Sequence, residues 1–301
     1  MKLAKRKYKP LKRGEYDIRN DEVFKIVFGS NERSEYLKAF LESVLHKKIT
    51  NIVVRNDVAL DKVHADNKLM RLDILAEIDG KEKINIEMQN ENEYNIVNRN
   101  DGYASGIYYN SLQIGDKYLN GTKTVVIWIL GYNYFKDGNY HEIIKQRREY
   151  NNEVFSPNIT THIFQLPRFI ENVEEIKTEE EQWLAYLSGN LNKEEMEELF
   201  KMNRSIEEIN KIVDIVMTDQ DVRDALNDRI LAQQLENLKM ERAYENGEKK
   251  GKREGKREGK KEISIKIAKE MIKKGFDIKE IIELTWLDED EVIKLKENKE
   301  D

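Results

Sequence analysis

Cysteine and long apolar runs are both missing from this sequence, and each absence excludes a class of protein. With no cysteine, the chain forms neither disulfide bonds nor a thiolate metal site. No stretch approaches the roughly 20 apolar residues that a membrane-spanning helix needs. The basic start, residues 1–14, lacks the apolar segment of a secretory signal. These absences predict a protein of the reducing cytoplasm, without export or a membrane span.

Several common catalytic and cofactor motifs are absent as well. The sequence holds no P-loop, no GxGxxG fingerprint, no Ser/His/Asp triad and no zinc motif. Its histidines are scattered and show no metal-ligand spacing: His46, His64, His141 and His162. The candidate chemistry lies instead with a set of carboxylates.

Charge, by contrast, is plentiful. Charged residues make up 37% of the 301 and hydrophobic residues 39%, with a net charge of −6. This composition predicts a soluble, folded chain that holds one sizeable domain and an appendage, or two small domains. The negative total argues against a protein coated with nucleic acid. A local basic groove would still bind nucleic acid, because binding needs a patch rather than a positive sum.

Composition divides the sequence into five segments. We predict a basic N-terminal tail, an α/β domain, a helical region, a charged glycine-repeat connector and a small C-terminal helix pair, over residues 1–15, 16–170, 171–240, 241–262 and 263–301. The like charges of the tail favour a disordered, solvated segment. Contact with phosphates is the alternative for this tail.

Hydrophobic periodicity predicts the elements of the α/β domain. Apolar residues at helical spacing predict helices over residues 20–28, with Asn20 as N-cap, 31–46 and 91–118. Alternating or continuous apolar runs predict strands over residues 52–60, 71–79, 82–89, 123–131, 140–150 and 160–166. The nearly continuous run 123–131 is typical of a strand buried on both faces. This order predicts a mixed sheet with helices on its faces.

Two of these strands form a hairpin that carries polar residues on one face. Successive side chains of a strand alternate between faces, so Asp73 opposes the apolar residues of its strand, and Glu87 and Gln89 oppose those of theirs. A two-residue turn at Asp79-Gly80 would pair Asp73 with Ile86 and separate the carboxylates. We therefore predict a three-residue loop or a bulge, which brings Asp73 opposite Glu87.

Two carboxylates at cross-strand distance repel each other unless one is protonated or a cation lies between them. Ligands that offer only oxygen favour a hard ion, Mg²⁺ or alternatively Mn²⁺. The alternative interpretation is a solvated polar face of the sheet with scattered acids.

The residues around this hairpin resemble a known family. The segments KLMRLDILA, residues 68–76, and NIEMQ, residues 85–89, resemble the recombination-promoting nuclease and transposase family, a branch of the PD-(D/E)XK nucleases. Similar features are the opening NDEVFKIVFG at 20–29, Arg99-x-x-x-Tyr103, GDKY at 115–118, the strand at 125–130, the glycine-repeat tail and the ending at 267–295. The resemblance implies a restriction-endonuclease-like α/β fold, a mixed sheet flanked by helices, with an all-α C-terminal extension.

The resemblance also implies roles for residues near the carboxylates. Asp73 and Glu87 would be metal ligands, with the Met88 carbonyl as a third. Asp21, at a helix start, would complete the catalytic site, although an acid there also complements the helix dipole. Gln89 stands where lysine is usual in the superfamily; it cannot act as a cation, but its amide can orient a water.

Four further residues are expected to contact nucleic acid. Lys68 and Arg71 would neutralise the phosphate, or they are ordinary surface charges. Arg99 and Tyr103 are four apart on a helix and share a face, so we interpret them as backbone-phosphate contacts. A Tyr–Arg pair that only packs the helix against the sheet is the alternative.

The resemblance thus implies a metal-dependent endonuclease that cuts double-stranded DNA and is linked to recombination or mobile elements. A second hypothesis is a non-catalytic, transposon- or defence-associated interaction protein that keeps the nuclease fold. RNA cleavage is a third.

Glycines recur every fourth residue in the basic stretch near the C-terminus, at Gly247, Gly251, Gly255 and Gly259. Each costs about 1 kcal/mol relative to alanine in a helix. We expect a long, exposed, partly helical connector here; a small-residue stripe that mediates a homodimer and a flexible linker are alternatives. The ending is expected to form two short helices joined at Gly275. The acidic residues that begin its last helix would repel phosphates, so this pair is interpreted as a packing or partner element.

Overall fold

The computed structural model describes residues 1–3, 5–12, 17–60, 71–112, 122–218 and 220–297. The chain folds into two compact units, Met1–Leu226 and Asn227–Asp301. The first unit therefore extends well beyond residue 170, where the sequence predicted the α/β domain to end. The reason is that the helices after this position contribute to the same hydrophobic core.

The first unit is built on a mixed six-stranded sheet. Its strands are β1 (Ile52–Ala59), β2 (Arg71–Ile78), β3 (Glu82–Gln89), β4 (Lys123–Leu130), β5 (His141–Arg147) and β6 (Val154–Gln165). Their order is β1-β2-β3-β4-β6-β5. Neighbours β3, β4 and β6 run parallel, and the other pairs are antiparallel. The predicted mixed sheet flanked by helices is confirmed.

Helices cover both faces of this sheet. They are α1 (Asp21–Phe28), α2 (Ser34–Leu45), α3 (Ile96–Tyr109), α4 (Leu166–Asn172), α5 (Glu179–Leu187), α6 (Lys193–Met202) and α7 (Arg204–Thr218). Helix α3 is shorter than predicted: it begins at Ile96, and residues 113–121 lie outside the described part of the chain.

Strand β4 separates two hydrophobic cores. Its alternate residues Val125, Ile127 and Ile129 join the core beneath α1, α2 and α4 to α7. Val126, Trp128 and Leu130 join the smaller core beneath α3. The prediction of a strand buried on both faces is confirmed, and the sheet is thereby held between two layers of helices.

The β2–β3 hairpin has the register that the polar pattern requires. Ile78 lies opposite Glu82 and Ile74 opposite Ile86, which leaves residues 79–81 as a three-residue loop. Asp79 and Gly80 both have positive φ, 51° and 61°. The Asp79 side chain accepts from the amides of Thr50 and Asn51 and ties the loop to the start of β1. The predicted three-residue loop is confirmed.

The first residues of the chain pack on the domain. Lys2 forms an antiparallel bridge with Glu175, and the Leu3 amide donates to the Glu174 carbonyl at 2.9 Å. The Ile176 amide donates to the Met1 carbonyl at 2.9 Å. Leu3 is buried in the larger core. The expectation of a disordered, solvated tail is wrong for these residues, because an apolar side chain and several backbone groups find partners.

The second unit is helical. Helix α8 (Gln220–Lys273) begins before this unit and runs through the whole glycine repeat, and α9 (Ile278–Thr285) and α10 (Glu289–Glu297) follow. Residues of α8, α9 and α10 form a small core around Ala268, Ile281 and Val292. Gly275, with φ of 85°, follows the end of α8 as expected. The ending is nevertheless three packed helical segments rather than two, because α8 supplies one side of the core. None of the described helices is long and apolar enough to cross a membrane.

Candidate active site

The carboxylates of Asp73 and Glu87 lie on adjacent strands, at the end of the hairpin away from its loop. Extending the register by one residue places Asp73 opposite Glu87. The Asp73 amide donates to Glu87 Oε1 at 3.1 Å. Glu87 is almost fully buried, with 1% of its side chain exposed, while the Asp73 side chain is 20% exposed. A solvated polar face of the sheet is therefore the wrong interpretation, because the more exposed of the two acids is still largely covered.

Each carboxylate is paired with a cation. Lys25 Nζ of α1 lies 3.0 Å from Asp73 Oδ1, and Arg99 Nη2 of α3 lies 2.8 Å from Glu87 Oε2. Buried charges are costly unless they are paired and hydrogen-bonded, and these contacts meet that requirement. Helices from opposite faces of the sheet thus each supply a positive charge to the hairpin.

Burial raises the pKa of both acids, and repulsion from Asp73 adds to the effect on Glu87. Burial and the Asp73 carboxylate raise the pKa of Glu87 to about 8, against the opposing charge of Arg99. Burial raises the pKa of Asp73 although Lys25 opposes it. Burial alone would lower the pKa of Lys25, but the carboxylates of Asp73 and Glu22 outweigh it, so the pKa of Lys25 is raised. Each acid therefore favours a bound proton or a nearby cation over an uncompensated negative charge.

The amide side chains beside Glu87 have unused polar atoms. Asn85 Nδ2 donates to Glu87 Oε1 at 3.0 Å, whereas Asn85 Oδ1 is buried without a hydrogen bond to the described residues. Gln89 is also buried, and neither its amide oxygen nor its amide nitrogen has a partner there. Buried polar atoms without partners are rare in native proteins. Their position along Glu87 indicates a place for a polar ligand.

Helix α1 places two further acids, Asp21 and Glu22, near Asp73 and Lys25. Its N-cap Asn20 accepts from the amides of Glu22 and Val23, as predicted. Asp21, the first helical residue, lies close enough for its charge to raise the pKa of both Asp73 and Lys25. Glu22 is buried and lies 3.3 Å from Lys25 Nζ.

Lys25 and Glu22 were missed by the sequence reasoning. The available signal was the spacing of Asp21 and Lys25, which are four residues apart and therefore share a helix face. Lys25 also stands inside the opening motif of the resemblance.

Arg99 and Tyr103 form a packed pair on α3. Arg99 Nε donates to the Tyr103 hydroxyl at 3.2 Å, and the guanidinium lies over the rings of Tyr103 and Trp128, at 5.5 and 5.2 Å from their centroids. Tyr103 is buried and stacks on Trp128 with 6.1 Å between ring centroids. This arrangement favours the packing alternative for Tyr103. Arg99 faces Glu87 and stays part of the site.

The other predicted residues are placed as follows. The Met88 side chain turns into the larger core, so only its backbone carbonyl remains a candidate ligand. Arg71 is exposed at the start of β2, opposite Ala59. Lys68 lies outside the described residues.

The donor set fits a hard divalent cation. It consists of carboxylate oxygens from adjacent strands, with unpartnered amide oxygens beside them. Within the described ranges, no group of three or more His, Asp or Glu side chains is arranged to hold a metal. A cation would therefore depend on Asp73, Glu87, a backbone carbonyl and water, and Mg²⁺ usually keeps several waters in protein sites.

A second polar cluster lies apart from these carboxylates. His141 Nε2 and His162 Nδ1 are 2.9 Å apart, and His141 Nδ1 lies 3.2 Å from Glu180. His46 Nε2 is 3.5 Å from the same carboxylate. Three of the histidines that looked scattered in the sequence, His46, His141 and His162, thus lie close together near Glu180, and His64 lies outside the described residues. Burial, His141 and Lys145 lower the pKa of His162 to about 3, so His162 is neutral near pH 7.

The mixed sheet between helices, with two acids on its central hairpin, defines a restriction-endonuclease-like protein. A family model described as PD-(D/E)XK nuclease family transposase matches residues 18–243, and the chain belongs to this family. Searches of curated proteins and of solved structures found no match.

Proposed function

We propose that this protein is a Mg²⁺-dependent endonuclease that hydrolyses phosphodiester bonds of double-stranded DNA. The observation that carries the proposal is the meeting of Asp73 and Glu87 on adjacent strands, where Glu87 is buried, Asp73 is largely covered and each faces a cation. Family membership supports nuclease chemistry, and the word transposase in the family description supports a link to recombination or mobile elements. The absence of cysteine fits a reducing cytoplasm.

Asp73 and Glu87 would hold the divalent cation, with the Met88 carbonyl as a further ligand. When bound, Mg²⁺ or Mn²⁺ supplies Lewis-acid stabilisation of phosphate charge and a more acidic water. Glu87 must lose its proton to take part, because its pKa is raised to about 8. Asp21 would add negative charge from the start of α1.

The remaining residues would act on the substrate. The Gln89 amide, which has no partner among the described residues, would orient the attacking water. Arg99, whose guanidinium lies over the rings of Tyr103 and Trp128, would stabilise negative charge on the phosphate. Arg71 and Lys68 would contact backbone phosphates further along the strand.

Plasmid cleavage tests the proposal. Purified protein incubated with supercoiled DNA and Mg²⁺ is expected to nick and linearise it, while Asp73→Asn and Glu87→Gln lose at least about 100-fold in rate, the scale of removing a key charge-stabilising group. Glu77→Gln is the matched control, because Glu77 stands on the same strand and pairs with Lys83 toward the hairpin loop. Equal cleavage rates for the wild type and both site variants would refute the proposed endonuclease activity. Offering RNA in parallel distinguishes the two nucleic acids.

A non-catalytic interaction protein is the second candidate. The ion pairs Lys25–Asp73 and Arg99–Glu87 favour it, since both acids already have partners without a metal. This candidate predicts that Mn²⁺ does not bind in isothermal titration. Mn²⁺ binding by the wild type that is lost in Asp73→Asn would exclude this candidate.

Self-association through the C-terminal helices is a further part of the proposal. Gly251 and Gly255 lie on α8, and a Cβ added at either one meets nothing within 4 Å. This open stripe would let a helix of a second copy approach closely, giving a homodimer. Sedimentation equilibrium of the full chain is expected to show a dimer, and a monomer at all concentrations would exclude it.

A further inference from the structure

We propose that Lys25 supplies the positive charge beside the scissile phosphate that Gln89 cannot supply. The inference rests on the proposed nuclease function. It assigns Lys25 of α1 to the reaction, as a group that leaves Asp73 for the substrate phosphate when a divalent cation binds.

Strand β3 lacks a positive charge beside Glu87. Gln89 stands two residues after Glu87 on the same face of the strand, and its amide carries no charge. A nuclease needs positive charge where the phosphate gains negative charge in the transition state. In the described residues, the cations that contact Asp73 and Glu87 are Lys25 and Arg99.

Arg99 and Lys25 differ in how their side chains are held. Arg99 is held by the Tyr103 hydroxyl and lies over two aromatic rings. Lys25 is held by the oxygens of Asp73 and Glu22, at 3.0 and 3.3 Å. A lysine is a point charge on a flexible four-carbon stem, so it can change partners without moving its helix.

Coulomb repulsion would act between Lys25 and a divalent cation at Asp73. A divalent cation bound to Asp73 would lie close to the ammonium that now contacts the same carboxylate. Like charges a few ångströms apart in a buried site repel strongly. Lys25 would therefore turn from Asp73 towards the phosphate of bound DNA. Glu22 keeps the side chain at the site during this exchange.

Variants that remove the positive charge at residue 25, or move it to residue 89, test the inference. Lys25→Gln keeps a hydrogen-bond donor for Asp73 but removes the charge, and kcat at saturating Mg²⁺ is expected to fall at least about 100-fold. The apparent KM for DNA should change by less than about threefold, because the lost interaction belongs to the transition state. Lys25→Arg is expected to retain roughly a tenth or more of the wild-type kcat. The double variant Lys25→Gln, Gln89→Lys should recover about tenfold or more over Lys25→Gln, because it returns a lysine beside Glu87.

Metal binding gives a readout that does not depend on cleavage. Mn²⁺ titrated into Lys25→Gln should bind at least as tightly as in the wild type, because a competing cation has been removed from Asp73. Lys47→Gln is the control, since Lys47 also pairs with a strand carboxylate, that of Glu82, away from the site. It is expected to keep wild-type kcat and Mn²⁺ affinity.

The outcomes separate this inference from the proposed function. Wild-type protein that shows no metal-dependent cleavage, or that cleaves no faster than Asp73→Asn, overturns the function itself. If the wild type cleaves and Lys25→Gln matches it in kcat, only the role of Lys25 is overturned. Loss of Mn²⁺ binding in Lys25→Gln also overturns it, because Lys25 would then organise the ligands rather than meet the phosphate. If Lys25→Gln does not fold, Lys25→Met decides: a loss of kcat with Mn²⁺ binding retained supports the inference, and either wild-type kcat or a loss of Mn²⁺ binding overturns it.

Discussion

Arg99 Nη2 donates to Glu87 Oε2 at 2.8 Å and joins helix α3 to the buried end of β3. The contact spans the sheet–helix layer, and it compensates an acid that has almost no access to water. This single pair therefore couples the chemistry of the site to the packing of α3.

Removing Arg99 should destabilise the fold as well as the site. Arg99→Met leaves Glu87 buried without its ion-pair partner, and we expect a loss of about 2 kcal/mol in the free energy of unfolding, measured in urea at alkaline pH where Glu87 is charged. The double variant Arg99→Met, Glu87→Gln should regain much of that loss, because no buried charge remains. A double variant that is less stable than Arg99→Met would contradict this account.

Metal binding should release a proton. The pKa of Glu87 is raised to about 8, so near neutral pH this acid is largely protonated and a cation must displace the proton. Titration of Mn²⁺ at neutral pH in two buffers of different ionisation enthalpy should give a release of nearly one proton per metal. Release is expected to vanish well above the pKa of Glu87. If the same number of protons is released per metal below and above that pKa, the proton does not come from Glu87.

The raised pKa of Glu87 also predicts how stability varies with pH without metal. The folded state binds more protons than the unfolded state between the unfolded pKa near 4.5 and the folded pKa of about 8. Stability should therefore fall as pH rises through this window, by at most about 1.4 kcal/mol per pH unit. Glu87→Gln should flatten the slope in urea unfolding, whereas Glu77→Gln, which removes an acid nearer the hairpin loop, should leave it unchanged.

The lowered pKa of His162 predicts that stability changes with pH in the opposite direction at lower pH. Burial and neighbouring positive groups lower its pKa to about 3, against 6.5 for an unperturbed histidine. Between these values the unfolded state binds more protons, so stability should be lost as pH falls from 6.5 towards 3. His162→Asn should reduce this loss, while His46→Asn, at a side chain that is 71% exposed, serves as the control. Equal slopes in His162→Asn and the wild type would exclude His162 as the source.

The glycines of α8 should report on the role of the repeat. Gly255 is helical and exposed, and an added Cβ meets nothing within 4 Å. Gly251→Ala and Gly255→Ala should each stabilise the helix by about 1 kcal/mol, measured by circular dichroism during thermal unfolding. If the stripe is a dimer contact, the same substitutions should weaken self-association in sedimentation. Alanine variants that lower helicity would contradict a helical repeat.

The position of Asp73 opposite Glu87 could be predicted from the sequence, because it depends on local rules. Side chains of a strand alternate faces, and the loop of residues 79–81 sets the register. The helix start at Asn20 and the doubly buried strand β4 were predictable for the same reason. The extent of the first unit was not, because helices α5 to α7 join its core through contacts far apart in sequence.

The family, the hairpin and the pair of acids on one face follow from the sequence alone, because they depend on nearby residues and their periodicity. Tertiary packing was needed to show that Glu87 is buried, that Lys25 and Arg99 reach the acids from opposite layers, and that His141 and His162 meet near Glu180. Those contacts depend on how helices and strands distant in the chain pack against one another. Periodicity carries no information about that packing, because it describes one element at a time.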